Sequence, residues 1–306
     1  MTKTHNAVQI KRLLIAICLI AIMFSIPYTA KADTGPKPSV NVSLTGLENQ
    51  TYYVTLLSKT SSTGPYSAYD PGNGYETEYK EGDEGYEIWQ KFIAYKDSDD
   101  FYFLQNFSKL IGDKTYKWGY YPPSTFKVLI YFPSSDTFAE SAVYERYAFD
   151  SYYEANFSAG DLEHLKVEKI NFTVEKNYDY PTEILNLLAR IIITIIIEVL
   201  IALLFGYRSK KELFFIGGVN IVTQTFLNLM LNIANYNDGS LIAMTYYILL
   251  EVLIFVIEAV IYFIFMKKFN KNPKFKNWLT VVYAFCANAA SFGVGLLLAY
   301  IIPGIF

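Results

Sequence analysis

Glu251 and Glu258 lie seven residues apart in one long apolar stretch, which places both carboxyls on the same face of a helix. An earlier apolar stretch carries a third carboxyl, Glu198, and a guanidinium, Arg190. Between these stretches Asn220, Gln224, Asn228 and Asn232 recur every four residues. Such a row drifts only about 120° around a helix, so it forms a single polar stripe. Asn288 sits in a last apolar stretch and is placed to join it. A charged group in the hydrocarbon of a bilayer costs at least ~2.5–3.5 kcal/mol, so each of these side chains must face protein or water and find a partner. At about 1.5 Å per residue, Gln224 and Glu251 fall near the midplane of a membrane. Arg190, Asn228 and Glu251 then form the outer part of a seam, and Glu198, Asn220 and Glu258 the inner part. Three kinds of chemistry fit it: an inter-helix hydrogen-bond network, a contact surface for a polar membrane partner, or a path for a proton, an ion or a small solute.

Other catalytic signals are thin. The chain has two histidines, His5 and His164, neither in an apolar stretch that would span a membrane. That removes histidine-dependent intramembrane metalloproteases and histidine-based acyl transfer. No His-Glu-x-x-His, Gly-x-Ser-x-Gly or phosphate-loop pattern occurs. No enzymatic activity, cofactor or resident metal ion is expected. The run Asp70-Pro71-Gly72-Asn73-Gly74, followed by Glu76, Glu78, Glu81, Asp83, Glu84 and Glu87, concentrates oxygen ligands, but its spacing is not that of an EF-hand loop, and a solvated acidic turn accounts for it. Tyrosines crowd the same region, and exposed tyrosines mark recognition surfaces. The Tyr120-Tyr121-Pro122-Pro123 run reads as an exposed loop, with Tyr120 and Tyr121 as the expected contact residues.

Three segments position these groups. Residues 1–32 read as a cleavable signal peptide: Lys11 and Arg12 flank an apolar core, and Ala30-Lys31-Ala32 supplies small residues for cleavage before Asp33. Residues 33–180 read as a β-rich extracellular domain without cysteine, and 181–306 as four spans near 182–207, 213–234, 241–266 and 278–302. The first connection carries Arg208, Lys210 and Lys211, the second no Lys or Arg, and the third Lys267, Lys268, Lys271, Lys274 and Lys276. The positive-inside rule places the first and third in the cytoplasm and the β-rich domain and C-terminus outside. Residues 33–180 hold 13 Lys/Arg against 23 Asp/Glu, a balance that repels nucleic acid and suits cations or a basic partner.

Within 33–180, Ser39–Leu47 and Tyr52–Leu57 read as strands with a turn at Gly46–Asn49. Phe126–Phe132 and Phe138–Tyr144 read as a hairpin, and Tyr147–Phe157 and Leu165–Val174 as further strands. Glu84–Tyr95 is the one helix candidate. Short strands with Gly/Pro turns predict a two-sheet sandwich, immunoglobulin-like or prealbumin-like.

The stretches Asp33-Thr34-Gly35-Pro36-Lys37-Pro38-Ser39-Val40, Tyr52-Tyr53-Val54-Thr55-Leu56-Leu57-Ser58 and Ser62-Thr63-Gly64-Pro65 carry a resemblance to a known group. So do Tyr144-Glu145-Arg146-Tyr147-Ala148-Phe149-Asp150-Ser151-Tyr152, Leu203-Leu204-Phe205-Gly206-Tyr207-Arg208 and Gly218-Val219-Asn220-Ile221-Val222-Thr223-Gln224. The chain resembles a family of uncharacterised membrane proteins of Gram-positive, largely gut-dwelling Firmicutes. The resemblance implies a signal peptide, an extracellular domain and four C-terminal helices, and implies no activity, site or mechanism. With only short basic loops expected in the cytoplasm, the sequence predicts a non-enzymatic binding, sensory or accessory protein of the cell envelope. It would act through a membrane-protein partner or a homo-oligomer. The alternative is a small transporter or channel with an extracellular cap.

Overall fold

The computed structural model describes residues 35–72, 79–270 and 275–301; the signal-peptide reading of residues 1–32 lies outside them. One compact unit is Pro36–Asp179, and a second holds the long helices that start at Tyr180.

The first unit is mostly β. Its elements are β1 (Ser39–Thr45), β2 (Thr51–Ser58), β3 (Ser62–Thr63), β4 (Tyr66–Ser67), α1 (Tyr86–Ala94), β5 (Tyr102–Phe103), β6 (Ser108–Ile111), β7 (Lys114–Trp118), β8 (Thr125–Phe132), β9 (Thr137–Ser141), β10 (Tyr144–Glu145), β11 (Asp150–Asn156), α2 (Ala159–His164), β12 (Ile170–Phe172) and β13 (Glu175–Lys176). One sheet has the order β13-β11-β1-β7. The other runs β12-β9-β8-β2-β5, with β10 also on β8 and β6 also on β2. β1 and β2 do not pair. The turn after β1 carries the chain from one sheet to the other, and Gly46 makes it at φ 77°.

Val40, Val42 and Leu44 of β1 share one core with Tyr52, Val54 and Leu56 of β2 and Phe126, Val128 and Ile130 of β8. On the opposite face of the second sheet, Leu57, Leu129 and Tyr131 pack on Trp89 and Phe92 of α1. β8 is therefore buried on both faces, and a strand covered on both sides reads as a continuous apolar run rather than an alternation. The expected strand over Leu165–Val174 is only partly so. Ser158 and Asp161 form a capping box that starts α2, the Leu165 N–H still donates to the Asp161 carbonyl at 2.9 Å, and the strand is confined to Ile170–Phe172.

Lys127 interrupts the apolar run of β8, and its side chain is 5% exposed. Its ammonium contacts Asp97 at 2.7 Å, Asp99 at 2.6 Å and Glu140 at 2.8 Å. Tyr95 donates to Glu140 at 2.6 Å, and Lys169 contacts the same carboxylate. The cluster ties the segment after α1 to β8, β9 and the approach to β12. Burial alone would raise the Asp97 carboxyl, but hydrogen bonds from Lys127 and the N–H groups of Phe101 and Asp99 outweigh it and hold it well below the usual carboxylate range. Burial alone would lower the Lys127 ammonium, but Asp97, Asp99 and Glu140 hold it above its ordinary value.

The second unit comprises α3 (Tyr180–Leu204), α4 (Lys210–Asp238), α5 (Ser240–Phe269) and α6 (Trp278–Ile301). By length and composition all four are able to cross a membrane. α3 ends because Gly206, at φ 87°, closes a Schellman motif: the Gly206 N–H donates to the Leu203 carbonyl at 3.1 Å and the Tyr207 N–H to the Ala202 carbonyl at 3.0 Å. A Ser209–Glu212 capping box then starts α4. α4 and α5 extend beyond the apolar windows 213–234 and 241–266, and Gly239 alone joins them. The helices contact in the ring α3–α4–α5–α6–α3. The bundle is inverted relative to a water-soluble one. Glu198, Asn220 and Glu258 are fully buried, whereas Leu185, Ile192, Phe214, Val222 and Phe285 face outward.

Gly46→Ala is expected to destabilise the β-rich unit by at least ~2 kcal/mol in denaturant unfolding, because a Cβ there lands on the Phe157 carbonyl at a backbone angle disfavoured for L-residues. Lys127→Met leaves Asp97 and Glu140 buried without their main cation and is expected to cost about 3–5 kcal/mol. In the wild type, the Asp97 contribution is present above about pH 4 and is lost as pH falls through its depressed folded value. The Lys127 contribution is present below about pH 10 and is lost as pH rises through its elevated one. Unfolding of the full chain followed by tryptophan fluorescence from pH 3 to 11 should therefore show a plateau that Lys127→Met abolishes.

Candidate functional site

The polar side chains of the four helices separate into two groups. The inner group is a closed hydrogen-bonded ring. Asn220 of α4 donates its amide to Glu198 of α3 at 2.7 Å and to the Tyr262 hydroxyl of α5 at 3.2 Å. Thr223 of α4 donates to Glu258 of α5 at 2.6 Å, and Asn288 of α6 donates to the other Glu258 oxygen at 2.8 Å. Tyr283 of α6 donates to the backbone carbonyl of Glu198 at 3.3 Å, which closes the circuit back to α3. Every neighbouring helix pair in the ring is thus bridged. All these side chains are buried.

The outer group lines a cavity of about 530 Å³ at the end of the bundle where α4 turns into α5. Arg190 and Thr194 of α3, Gln224 and Asn228 of α4, and Tyr247 and Glu251 of α5 contribute to its wall, and Gly295 of α6 borders it. Tyr247 lies one turn before Glu251 and beside its carboxyl. Three buried polar atoms here have no protein hydrogen-bond partner: Arg190 Nε, Gln224 Nε2 and Glu251 Oε2. Asn228 donates only to the Gln224 carbonyl of its own helix, at 2.8 Å. Arg190, Asn228 and Glu251 thus border open space, whereas Glu198 and Asn220 are in direct contact and Glu258 is bonded to Thr223 and Asn288.

Thr223, Tyr262, Tyr283 and Tyr247 were not singled out from the sequence. A hydroxyl in an apolar helix carries no charge signal, and Tyr passes there for an ordinary apolar residue. Their spacing was nonetheless readable: Tyr262 follows Glu258 by one turn, and Thr223 follows Asn220 by one turn. The small residues of α6 divide between two faces. Ala289 and Gly293 are exposed, whereas Ser291 and Gly295 point inward.

In the β-rich unit the Tyr120–Pro123 run is not the exposed loop expected of it. Tyr120 is 38% exposed, but Tyr121 is half-buried and Pro122 and Pro123 are buried. The Tyr121 ring packs against Gly64 and under the Lys37 ammonium, 5.0 Å from the ring centre. The Trp118 indole N–H donates to the Tyr120 carbonyl at 2.9 Å. These contacts fix the segment and leave Tyr120 as its outward side chain. Of the acidic run, residues 73–78 lie outside the described residues; Asp70 accepts the Gly72 N–H at 3.0 Å, and Asp83 the Lys80 N–H at 2.8 Å. Among the described residues no group of three or more His, Cys, Asp or Glu side chains is arranged to hold a metal ion. No protein-family model, curated protein or solved structure matches the chain.

Asn220→Ala removes bonds to two helices and strands the Glu198 carboxylate, so it should destabilise the bundle by about 2–3 kcal/mol in mixed-micelle unfolding. Asn228→Ala removes only a bond within α4 and should cost less than about 1 kcal/mol.

Proposed function

We propose that the protein is a non-enzymatic, multi-pass binding protein of the cell envelope that captures a small zwitterionic solute in the bundle cavity. The observation that carries this is that Arg190, Gln224 and Glu251, each with one buried polar atom lacking a protein partner, all line one cavity. A guanidinium and an amide N–H₂ are donors suited to a carboxylate, and Glu251 is an acceptor suited to an ammonium. A volume of about 530 Å³ accommodates a molecule of amino-acid size with its hydration.

The orientation draws support from charge. Arg208, Lys210 and Lys211 precede or open α4, and Lys267, Lys268 and Lys276 flank the α5–α6 connection, whereas Gly239 is the whole of the connection at the cavity end. The cavity then faces outward. The reading of Pro36–Asp179 as a β-sandwich, immunoglobulin-like or prealbumin-like, draws support from its two sheets and their common core. Signalling inward would pass through a membrane partner or a second copy. The exposed Ala289 and Gly293 offer a close-approach face, and a Cβ at Gly293 would meet nothing within its own chain.

A second reading, a small transporter, is favoured by one observation: the polar seam does not stop at the cavity floor but continues into the Glu258–Asn288 ring.

Calorimetric titration of a panel of α-amino acids into the full chain in lipid nanodiscs tests the proposal. Binding of one class, weakened at least about tenfold by Glu251→Gln, is the expected outcome. Absence of binding across the panel, or equal affinity in the variant, would contradict it. Uptake of the bound amino acid into proteoliposomes would favour the transporter.

A further inference from the structure

Glu198 and Glu258 are fully buried, and each meets an asparagine amide on a neighbouring helix. Asn220 Nδ2 of α4 donates to Glu198 Oε2 of α3 at 2.7 Å, and Asn288 Nδ2 of α6 donates to Glu258 Oε2 of α5 at 2.8 Å. Each amide nitrogen also donates one turn back along its own helix, to the Ile216 carbonyl at 3.1 Å and the Ala284 carbonyl at 3.0 Å. Those carbonyls fix which way the amides point, because a flipped amide would set oxygen against oxygen. Asn220 Oδ1, Asn288 Oδ1 and Glu198 Oε1 are then buried without a protein partner. Among the described residues no Lys, Arg or His forms an ion pair with Glu198 or Glu258.

An ionised carboxylate buried without a cation is so costly that such a group takes up a proton instead. A protonated carboxyl carries a donor and an acceptor on adjacent oxygens, and a primary amide carries the complementary pair. A proton on Glu198 Oε1 turns that atom into a donor for Asn220 Oδ1. A proton on Glu258 Oε1 supplies the donor for Asn288 Oδ1, and Thr223 still donates to the same Glu258 oxygen at 2.6 Å. Two protons thus satisfy all three orphaned atoms, and both Glu–Asn contacts acquire the same two-bond form.

We infer that Glu198 and Glu258 are proton-binding sites, each held at neutral pH as a carboxylic acid paired edge to edge with Asn220 or Asn288. The ligand of the inner ring is the proton, and the closed ring is uncharged. Loss of either proton puts a charge inside the bundle and takes the donor from one asparagine oxygen. It weakens the α3–α4 link at Glu198 and the α5–α6 link at Glu258, so the ring closes in its protonated form and loosens as protons leave. The other ionisable groups around the ring are phenols, neutral at the same pH. Tyr262 of α5 accepts from Asn220, Tyr283 of α6 donates to the Glu198 carbonyl, and the Tyr207 ring packs on that of Tyr283. α4 carries no charged side chain between Glu212 and Asp238, and α6 carries none. Glu251 and Arg190 lie two turns outward from Glu258 and Glu198, at the cavity. The inference does not depend on what that cavity holds.

The test is infrared spectroscopy of the full chain in nanodiscs at about pH 7, without any amino acid. The difference between wild type and Glu198→Gln, and that between wild type and Glu258→Gln, should each contain one carboxylic-acid C=O band that shifts in D₂O. An ionised-carboxylate band in place of the acid band in either difference would overturn the inference. Wild type carrying ¹³C-labelled glutamate gives a readout that does not depend on how the variants fold, and fewer than two protonated glutamates per chain would overturn it as well. The folded ring holds protons that a solvated glutamate releases above about pH 4.3, so bundle stability should fall as pH rises from there. Thermal unfolding in mixed micelles, followed by helical circular dichroism, should show Tm lower by at least about 5 °C at about pH 8 than at about pH 5. The double variant Glu198→Gln/Glu258→Gln should keep most of that Tm, because its amides retain a donor and cannot ionise. An equal loss in wild type and double variant would contradict the closing role of the protons.

Discussion

Four apolar helices in lipid have no hydrophobic reason to prefer one another over acyl chains, so whatever holds them in register must be polar contact or close packing. In this bundle the contact that bears on every pair is the ring through Glu198, Asn220, Thr223, Glu258, Tyr262, Tyr283 and Asn288. It bridges each helix to both neighbours at one level. Rotating any helix by a quarter turn would carry at least one of these groups into hydrocarbon, at a cost of several kcal/mol. The ring therefore fixes the rotation of all four helices at once. That rotation in turn aims Arg190, Gln224 and Glu251 inward at the next level, where no protein group completes them and a cavity results.

The two polar levels differ in kind. The inner one is packed, and its side chains bond one another directly across the helices. The outer one is open, includes a guanidinium, and has unused donors and acceptors of both signs. A closed layer below an open one is what a binding site with a floor requires, and it is equally what one gate of a transport path requires. The exterior of the bundle carries neither feature: Ile192, Ile196 and Leu200 of α3 and Val222, Phe226 and Leu229 of α4 present side chains suited to lipid. In the β-rich unit the arrangement is the reverse, with apolar layers inside and one buried ionic cluster, around Lys127, joining segments that backbone pairing alone leaves apart.

The helices were legible in the sequence because a charged or amide group in a long apolar run is costly and must share a face with its fellows. The four-residue spacing of Asn220, Gln224 and Asn228 gave that face directly. Depth arithmetic grouped Asn228 with Arg190 and Glu251, and all three border one cavity, but nothing in spacing distinguishes groups that touch from groups that enclose a void. Thr223, Tyr262 and Tyr283 were missed because hydroxyls and rings are common in apolar helices. In the β-rich unit, alternation revealed β1, and β8 stood out as an apolar run. Lys127 within that run gave no signal of its role, since Asp97 and Glu140 reach it from other elements. Residues 159–164 form a helix because Ser158 and Asp161 cap one another, a pattern present in the sequence but overshadowed by the alternation of Leu165 and Val167.

The most direct measurement is a double-mutant cycle on Glu258 and Asn288, each replaced by Leu singly and together, with bundle unfolding followed in mixed micelles. If the ring fixes the rotation of the helices, the pair should show a favourable coupling of at least about 0.6 kcal/mol, the average found for hydrogen bonds between membrane helices. Additive single effects, with no coupling between α5 and α6 at this level, would contradict the account.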